Sequence, residues 1–330
     1  MNHRISGAAH PHHVRPGSAN IHSLGKGYSP PARVLRAMPA SCLVGTSGFD
    51  YRDWVGNFYP PKMQKKEWLA YYARFLSMTE INVTYYSLPA RGAVDAWVRK
   101  TAGREFEFEV KAPKGVTHDH LPKGEIDEAM VVWSHFEENV LGPLRAAGRL
   151  GAVLLQLSPA IDTQDEEVVR GFFARLRESG SKDRLVCEYR RRGWFAARAG
   201  TEKWMRDLDV AFCLVDGPGA PDHRAVTASH SYIRMHGRNE DIWFSREKEE
   251  DDRRINRYDY LYSKGELEPW AARAREILDQ GVELRIAFNN HARAKAVRNA
   301  HETMEMLGIK HEAPPVKVVE QAVLGEFGAR

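Results

Sequence analysis

Three side chains in this 330-residue chain stand where acid/base or nucleophilic chemistry could be done: Lys111, Glu188 and His236. Each ends, or nearly ends, a short apolar run with a strand's alternation, in "FEFEVKAP", "LVCEYR" and "YIRMHGR". A carboxylate and an imidazole can pass a proton between them and a substrate when partial burial tunes their pKa values. A lysine amine can stabilise developing charge, or form a Schiff base where its neighbours lower its pKa. Arg190 and Arg234, on the same kind of run, can grip an anion bidentately. Tyr86, Gln156, Asn289 and Asn290 supply neutral polar groups at other run ends, and Trp194 follows with an aromatic face. Glu80, Asn82 and His118 are expected to stand behind these residues as support. Lys111, Arg190 and Arg234 set three cations against the single rim carboxylate of Glu188, so the expected ligand is a small anion.

Something must bring these residues together. Strand-like runs are expected at 42–46, 80–86, 106–112, 152–157, 185–189, 210–215, 232–236 and 284–289. Amphipathic stretches at 65–75, 93–100, 128–146, 166–178, 196–207, 266–279 and 294–307 lie between or after them, and only 217–230 lacks a helical pattern. Alternating β and α segments imply right-handed crossovers and a parallel sheet. Eight strands in about 270 residues fit a single (β/α)8 TIM barrel, whose usual size is about 250 residues. "VGTSGFDYRDW" after the first run carries neither G-x-G-x-x-G nor G-K-[ST], which argues against a nucleotide-binding open sheet. Several runs put polar residues on one parity: Glu107, Glu109 and Lys111 in the third, Glu188 and Arg190 in the fifth, Tyr232, Arg234 and His236 in the seventh. In a barrel one parity meets the helices and must be apolar, so the polar one faces the interior. "EINVTYYSLP" reads in the same way, with Glu80 deep, about two pleats below the mouth, and Tyr86 at it. A charge network that only fills the barrel is the alternative, but catalytic groups in this fold sit at C-terminal strand ends.

The net charge is +4, but the first 38 residues hold five basic residues and no acidic one, leaving a nearly neutral remainder. That tail is rich in Gly, Pro, Ser and His without apolar periodicity, and is expected to be disordered. Met38, just before the first run, is a candidate translation start. The barrel is expected over 39–312, followed by a C-terminal extension at 313–330. No apolar run reaches the ~20 residues of a membrane span. Cys42, Cys187 and Cys213 are far apart in apolar runs, as expected of reduced thiols in a cytoplasmic protein. The connection 238–264 carries "RYDYLYS" and is a candidate lid over the mouth. Glu80, His118, Glu188, Asp216 and His236 are the conceivable metal ligands, yet no H-E-x-x-H spacing is present, and neither metal nor redox cofactor is predicted.

The blocks "VGTSGFDYRDWVGNFYP", "EINVTYYSLP", "FEFEVKAPKGVTH", "LLQLSP", "CEYRRRGWF", "YIRMHGR", "YDYLYS", "ELEPWA" and "FNNHARAKAVRNA" resemble, in order and spacing, the YecE-like family, catalogued as domain of unknown function seventy-two. The resemblance spans 41–308 and implies a TIM barrel; it implies no activity. Where that family reads Glu-Phe-Arg and then His-Pro before a Trp, this chain reads "EYRRRGW". Glu188, Arg190 and Trp194 are kept and the turn between them differs.

The expected function is therefore an enzyme performing acid/base chemistry on a small anionic, phosphorylated or sugar-like substrate at the barrel mouth. The alternatives are a nucleic-acid-binding or phosphodiester-cleaving protein, kept open by the basic tail and Arg190-Arg191-Arg192, and a ligand-binding barrel without turnover. A neutral barrel predicts that affinity for DNA or RNA disappears when residues 1–37 are removed. Binding that survives this truncation with a steep salt dependence selects the nucleic-acid alternative.

Overall fold

The computed structural model describes residues 41–196, 199–240 and 257–314, together with the backbone of Arg198. The tail expected at 1–38, nearly all of the C-terminal extension and the centre of the candidate lid lie outside these residues. Nine parallel strands form one sheet: β1 Cys42–Ser47, β2 Met78–Ile81, β3 Glu107–Lys111, β4 Leu150–Gln156, β5 Arg184–Glu188, β6 Val210–Phe212, β7 Leu214–Asp216, β8 His230–Met235 and β9 Glu283–Phe288. Their order, β6-β5-β4-β3-β2-β1-β9-β8-β7, ends on two strands that are one run of chain interrupted at Cys213. The sheet therefore closes on itself as a barrel of eight staves. At the interruption, Thr227 Oγ1 donates to the Val210 carbonyl (2.7 Å) and accepts from the Phe212 amide (2.8 Å). The helix-free connection after β7 thus satisfies backbone groups of β6, which would otherwise be left bare.

The helices are α1 Trp68–Tyr72, α2 Val83–Tyr86, α3 Arg91–Lys100, α4 Ile126–Phe136, α5 Gly142–Ala146, α6 Glu166–Glu178, α7 Gly193–Ala196, α8 Arg198–Asp207, α9 Lys264–Asp279 and α10 Lys295–Leu307. None is long and apolar enough to cross a membrane. α2 corrects the sequence reading. The strand expected at 80–86 stops at Ile81, and the next residues turn helically from Asn82 (φ −95°, ψ −17°). Thr84 fixes the turn, its hydroxyl donating to the carbonyls of Ile81 (3.0 Å) and Lys111 (2.6 Å). A single helical turn is too short to show a 3.6-residue period, so its side chains had mimicked alternation. Glu80 consequently sits one residue from its strand's end rather than deep below the mouth.

Two apolar regions hold the barrel. The larger lies between sheet and helices and includes Trp54, Tyr72, Phe108, Phe136 and Phe172. The smaller is a plug inside the barrel, made of Met78, Ala152, Leu154, Val186, Ala211, Cys213, Tyr232 and Ala287. Parity is thus as expected: Val186 and Tyr232 point in, Leu185, Cys187 and Ile233 point out. Close approach of β1 to β2 requires Gly45, where an added methyl would land on the Met78 carbonyl oxygen. Gly45→Ala is expected to destabilise the fold by about 1–3 kcal/mol through overpacking, read as a lower urea midpoint. An unchanged midpoint would show that the two strands can part without cost.

Candidate active site at the barrel mouth

Register builds the site. Ser47 faces Glu80 across β1 and β2, and Gln156 faces Glu188 across β4 and β5. Arg234 of β8 reaches across the interior to both carboxylates. Its Nε and NH2 donate to Glu80 at 3.0 and 2.6 Å, and its NH1 donates to Glu188 at 2.5 Å. Ser47 and Tyr232 also donate to Glu80, the tyrosine at 3.0 Å. Gln156 (2.7 Å) and Arg190 (3.1 Å) donate to Glu188. Burial alone would push both carboxyls up, but the Arg234 guanidinium more than offsets it and holds them below the usual range. Both are ionised at neutral pH, and neither is a proton donor there.

The expected clamp is corrected by this geometry. Arg234 is buried and all three of its donating nitrogens serve Glu80 and Glu188, so it has no fork to offer a ligand. Arg190, with a side chain 34% exposed, is the arginine that a ligand can reach. The Lys111 ammonium donates to Gln156 (2.9 Å) and lies 4.1 Å from the centre of the Tyr85 ring. Burial, helped by the nearby Arg234 charge, pulls Lys111 down to about 8. His236 is buried, and burial with Arg234 pulls it down to about 3. The Asn289 side-chain amide lies 2.9 Å from its Nδ1, while its Nε2 lies 3.5 Å from the Arg234 guanidinium and 3.9 Å from Glu188. His236 is therefore a weak base and no proton reservoir at neutral pH.

The other expected residues divide by position. Tyr86 stands 73% exposed, edge-on to Tyr85. His118 packs on the other edge of that ring, and burial pulls it down to about 4. Asn82 donates to Ser47 (2.8 Å) and so positions the Glu80 partner. Trp194 does not line the mouth: it is wholly buried in the outer core, stacked on Tyr189 at 4.4 Å, because Tyr189 has the outward parity. Asn290 is also buried, donating to the Tyr260 carbonyl and to Asn299. The corner after β8 and β9 is filled by the tyrosine segment itself, since the Gly237 amide donates to Tyr262 (2.8 Å). Asp216, a conceivable ligand, faces away and is held by Arg238, Tyr262 and Trp270. Among the described residues, no three His, Cys, Asp or Glu groups converge at the mouth to hold a metal.

Sequence reading placed Glu107 and Glu109 inside but passed over the arginine that makes them part of a second charged layer below the apolar plug. Arg285, 1% exposed, donates to Glu107 (2.8 Å) and Glu283 (2.8 Å), and Arg184 donates to Glu283 (2.6 Å). Glu109 lies beside Arg285 but is pushed up to about 8 by burial. Arg285 has the inward parity within "ELRIAF", which was the available signal.

A closed parallel barrel with ionic layers above and below an apolar plug defines the class. The chain belongs to the family described as "Protein of unknown function DUF72", whose model matches residues 43–322. It is 31% identical to a DUF72 family protein of Thermotoga maritima of known crystal structure, with a TM-score of 0.69, covering 81% of this chain and 99% of that one. A DUF72 family protein of Enterococcus faecalis shares the fold at 21% identity and a TM-score of 0.67, covering 84% of this chain and all of that one. The UPF0759 protein YunF of Bacillus subtilis is 26% identical over 277 residues, 81% of this chain and 95% of its own length.

Removing the guanidinium leaves two buried carboxylates facing each other. Arg234→Met is expected to cost about 3–5 kcal/mol, while the triple change with Glu80→Gln and Glu188→Gln regains much of it. The folded-state pKa values of Glu80 and Glu188 are depressed, so their stabilisation is complete above the unfolded value of about 4.3 and falls away as pH drops below it. Thermal melts from pH 7 to 3 should show that acid loss in the wild type and much less of it in the triple variant. A wild-type-like melt of Arg234→Met would remove Arg234 as the hub.

Proposed function

We propose that this protein is an enzyme acting by acid/base chemistry on a small anionic, phosphorylated or sugar-like substrate at the barrel mouth. The observation that carries this reading is Lys111, an amine held near 8 at the edge of a cationic mouth. At pH 7 roughly a tenth of such an amine is neutral, against fewer than about one in a thousand for an ordinary lysine. It is the group at the mouth poised to exchange protons at neutral pH, or to attack a carbonyl. Arg234, Arg190 and Lys111 carry three positive charges against two on Glu80 and Glu188, so an anion balances the mouth. A cleft of about 260 Å³ opens beside Glu188 and Arg190, walled also by Phe195, Gly217 and His236. Glu188 takes the role of orienting Gln156, Arg190 and Arg234 rather than giving a proton.

A second reading, a nucleotide or nucleic-acid end at the mouth, is favoured by the exposed Tyr86 ring next to Tyr85. Either ligand should raise the melting temperature, so thermal shifts with inorganic phosphate, sugar phosphates, small carboxylates and mononucleotides separate the two. A shift with the first three classes that shrinks in Arg190→Ala supports the small-anion enzyme. A shift with mononucleotides alone that is lost in Tyr86→Ala supports the second reading. In parallel, ¹³C-methyl NMR of reductively methylated protein should give Lys111 a midpoint near pH 8, assigned by its loss in Lys111→Gln. A midpoint above about 10, the ordinary lysine value, would exclude Lys111 as base or nucleophile.

A further inference from the structure

We propose that His301, Glu305 and His311, on the outer surface away from the mouth, form a site for a divalent transition metal, with Zn²⁺ as the ion it takes. The three offer ligand atoms that all lie within 4.8 Å of one another. Two structural features bring them together. His301 and Glu305 are one helical turn apart on α10, which sets their side chains on one face, with His301 Nδ1 3.8 Å from a Glu305 oxygen. Gly308 then ends the helix in the left-handed region (φ +69°), and the Ile309 amide donates back to the Met304 carbonyl at 2.9 Å. This reversal returns His311 onto the helix, its ring edge-on to His301 at 4.3 Å between centres. Past it, Glu312 pairs with Arg74 at 2.7 Å and anchors the returning segment.

The chemistry of the donor set fits. Two imidazoles and one carboxylate make a mixed nitrogen and oxygen set of the kind that holds zinc with a water in the fourth position. The His311 Nδ1 is 2.7 Å from the Ile309 carbonyl, which fixes its proton there and leaves Nε2 as the ligand atom. A tetrahedral zinc site needs ligand atoms roughly 3.3 Å apart at bond lengths of about 2.0–2.1 Å. The required contraction is small, and the Glu305 carboxylate, 58% exposed, can swing to supply it. Neighbouring Glu302 is not in the set, because it holds Arg298 and Asn299. Occupancy would tie the segment after α10 to the helix and would be independent of the chemistry at the mouth.

The test is zinc binding by the full-length chain in competition with a chromophoric chelator, for wild type, Glu305→Gln and His301→Ala/His311→Ala. The histidines at 3, 10, 12, 13 and 22 give every variant the same background. Wild type is expected to take up one equivalent more than the double variant, and Glu305→Gln to bind that equivalent at least tenfold more weakly. Co²⁺ in place of zinc should give wild type a tetrahedral visible band that the double variant lacks. Equal uptake by wild type and the double variant, or no uptake by wild type, overturns the proposal. Should the double variant melt lower in chelator than wild type, His311→Gln alone, altered beyond the helix, decides by the same two criteria.

Discussion

Everything at the mouth depends on one buried guanidinium. Glu80 on β2 and Glu188 on β5 lie on separated staves, and Arg234 on β8 joins them across the interior. Two ionised carboxylates inside a barrel are tolerable only if a cation is fully hydrogen-bonded to both. Arg234 meets this with its planar fork, giving two N–H groups to Glu80 and a third to Glu188. A lysine could not span both with fixed geometry. The same charge then sets the rest: it keeps the carboxylates ionised, keeps His236 neutral and helps lower Lys111. Burial, the larger influence on His236 and Lys111, and this one guanidinium together set which mouth groups can change protonation near neutral pH, leaving the amine rather than the carboxylates or the imidazole.

Below the apolar plug the arrangement recurs with another outcome. Arg285 is drawn toward Glu107 and Glu283 by direct hydrogen bonds, while Glu109 has only a 3.8 Å approach to it. That is not enough against burial, and Glu109 rises to about 8, so it is largely protonated at pH 7. Glu109 and Glu188 differ in how many donors reach them. Both are wholly buried inward-facing glutamates on barrel strands; one receives a guanidinium directly and stays charged, the other does not and holds its proton.

Parity explains what could be read from the sequence alone. Period-two alternation in the third, fifth and seventh runs fixed which residues point inward, and those assignments hold for Glu109, Val186, Glu188, Tyr232 and Arg234. The family blocks agree with the barrel that the matching crystal structures share. Alternation failed where backbone hydrogen bonding changed within four residues, at Asn82, because a turn that short carries no period of its own. It also says nothing of distance across the barrel. Whether Arg234 meets a ligand or two glutamates depends on chord lengths through the interior, which register and closure determine and local sequence does not. Trp194 was misplaced for a related reason: local sequence does not show that the turn after Arg190 carries it onto the outward-facing Tyr189.

The seventh-stave corner shows how the structure redistributes roles. The tyrosines of "RYDYLYS" do pack, as polar-loop tyrosines are expected to, but onto the scaffold. Tyr262 is buried, accepts from Gly237 and donates to Asp216, while Tyr260 donates to Glu266 (2.5 Å) and covers Asn290. Backbone amides that could have bound phosphate are thereby consumed internally. In the function proposed above, the cations that hold the anion are those near β3 and β5, Lys111 and Arg190. The Lys111 amine, held over the Tyr85 ring, and Arg190, beside the cleft, in that proposal divide proton transfer and anion recognition between two staves separated by β4.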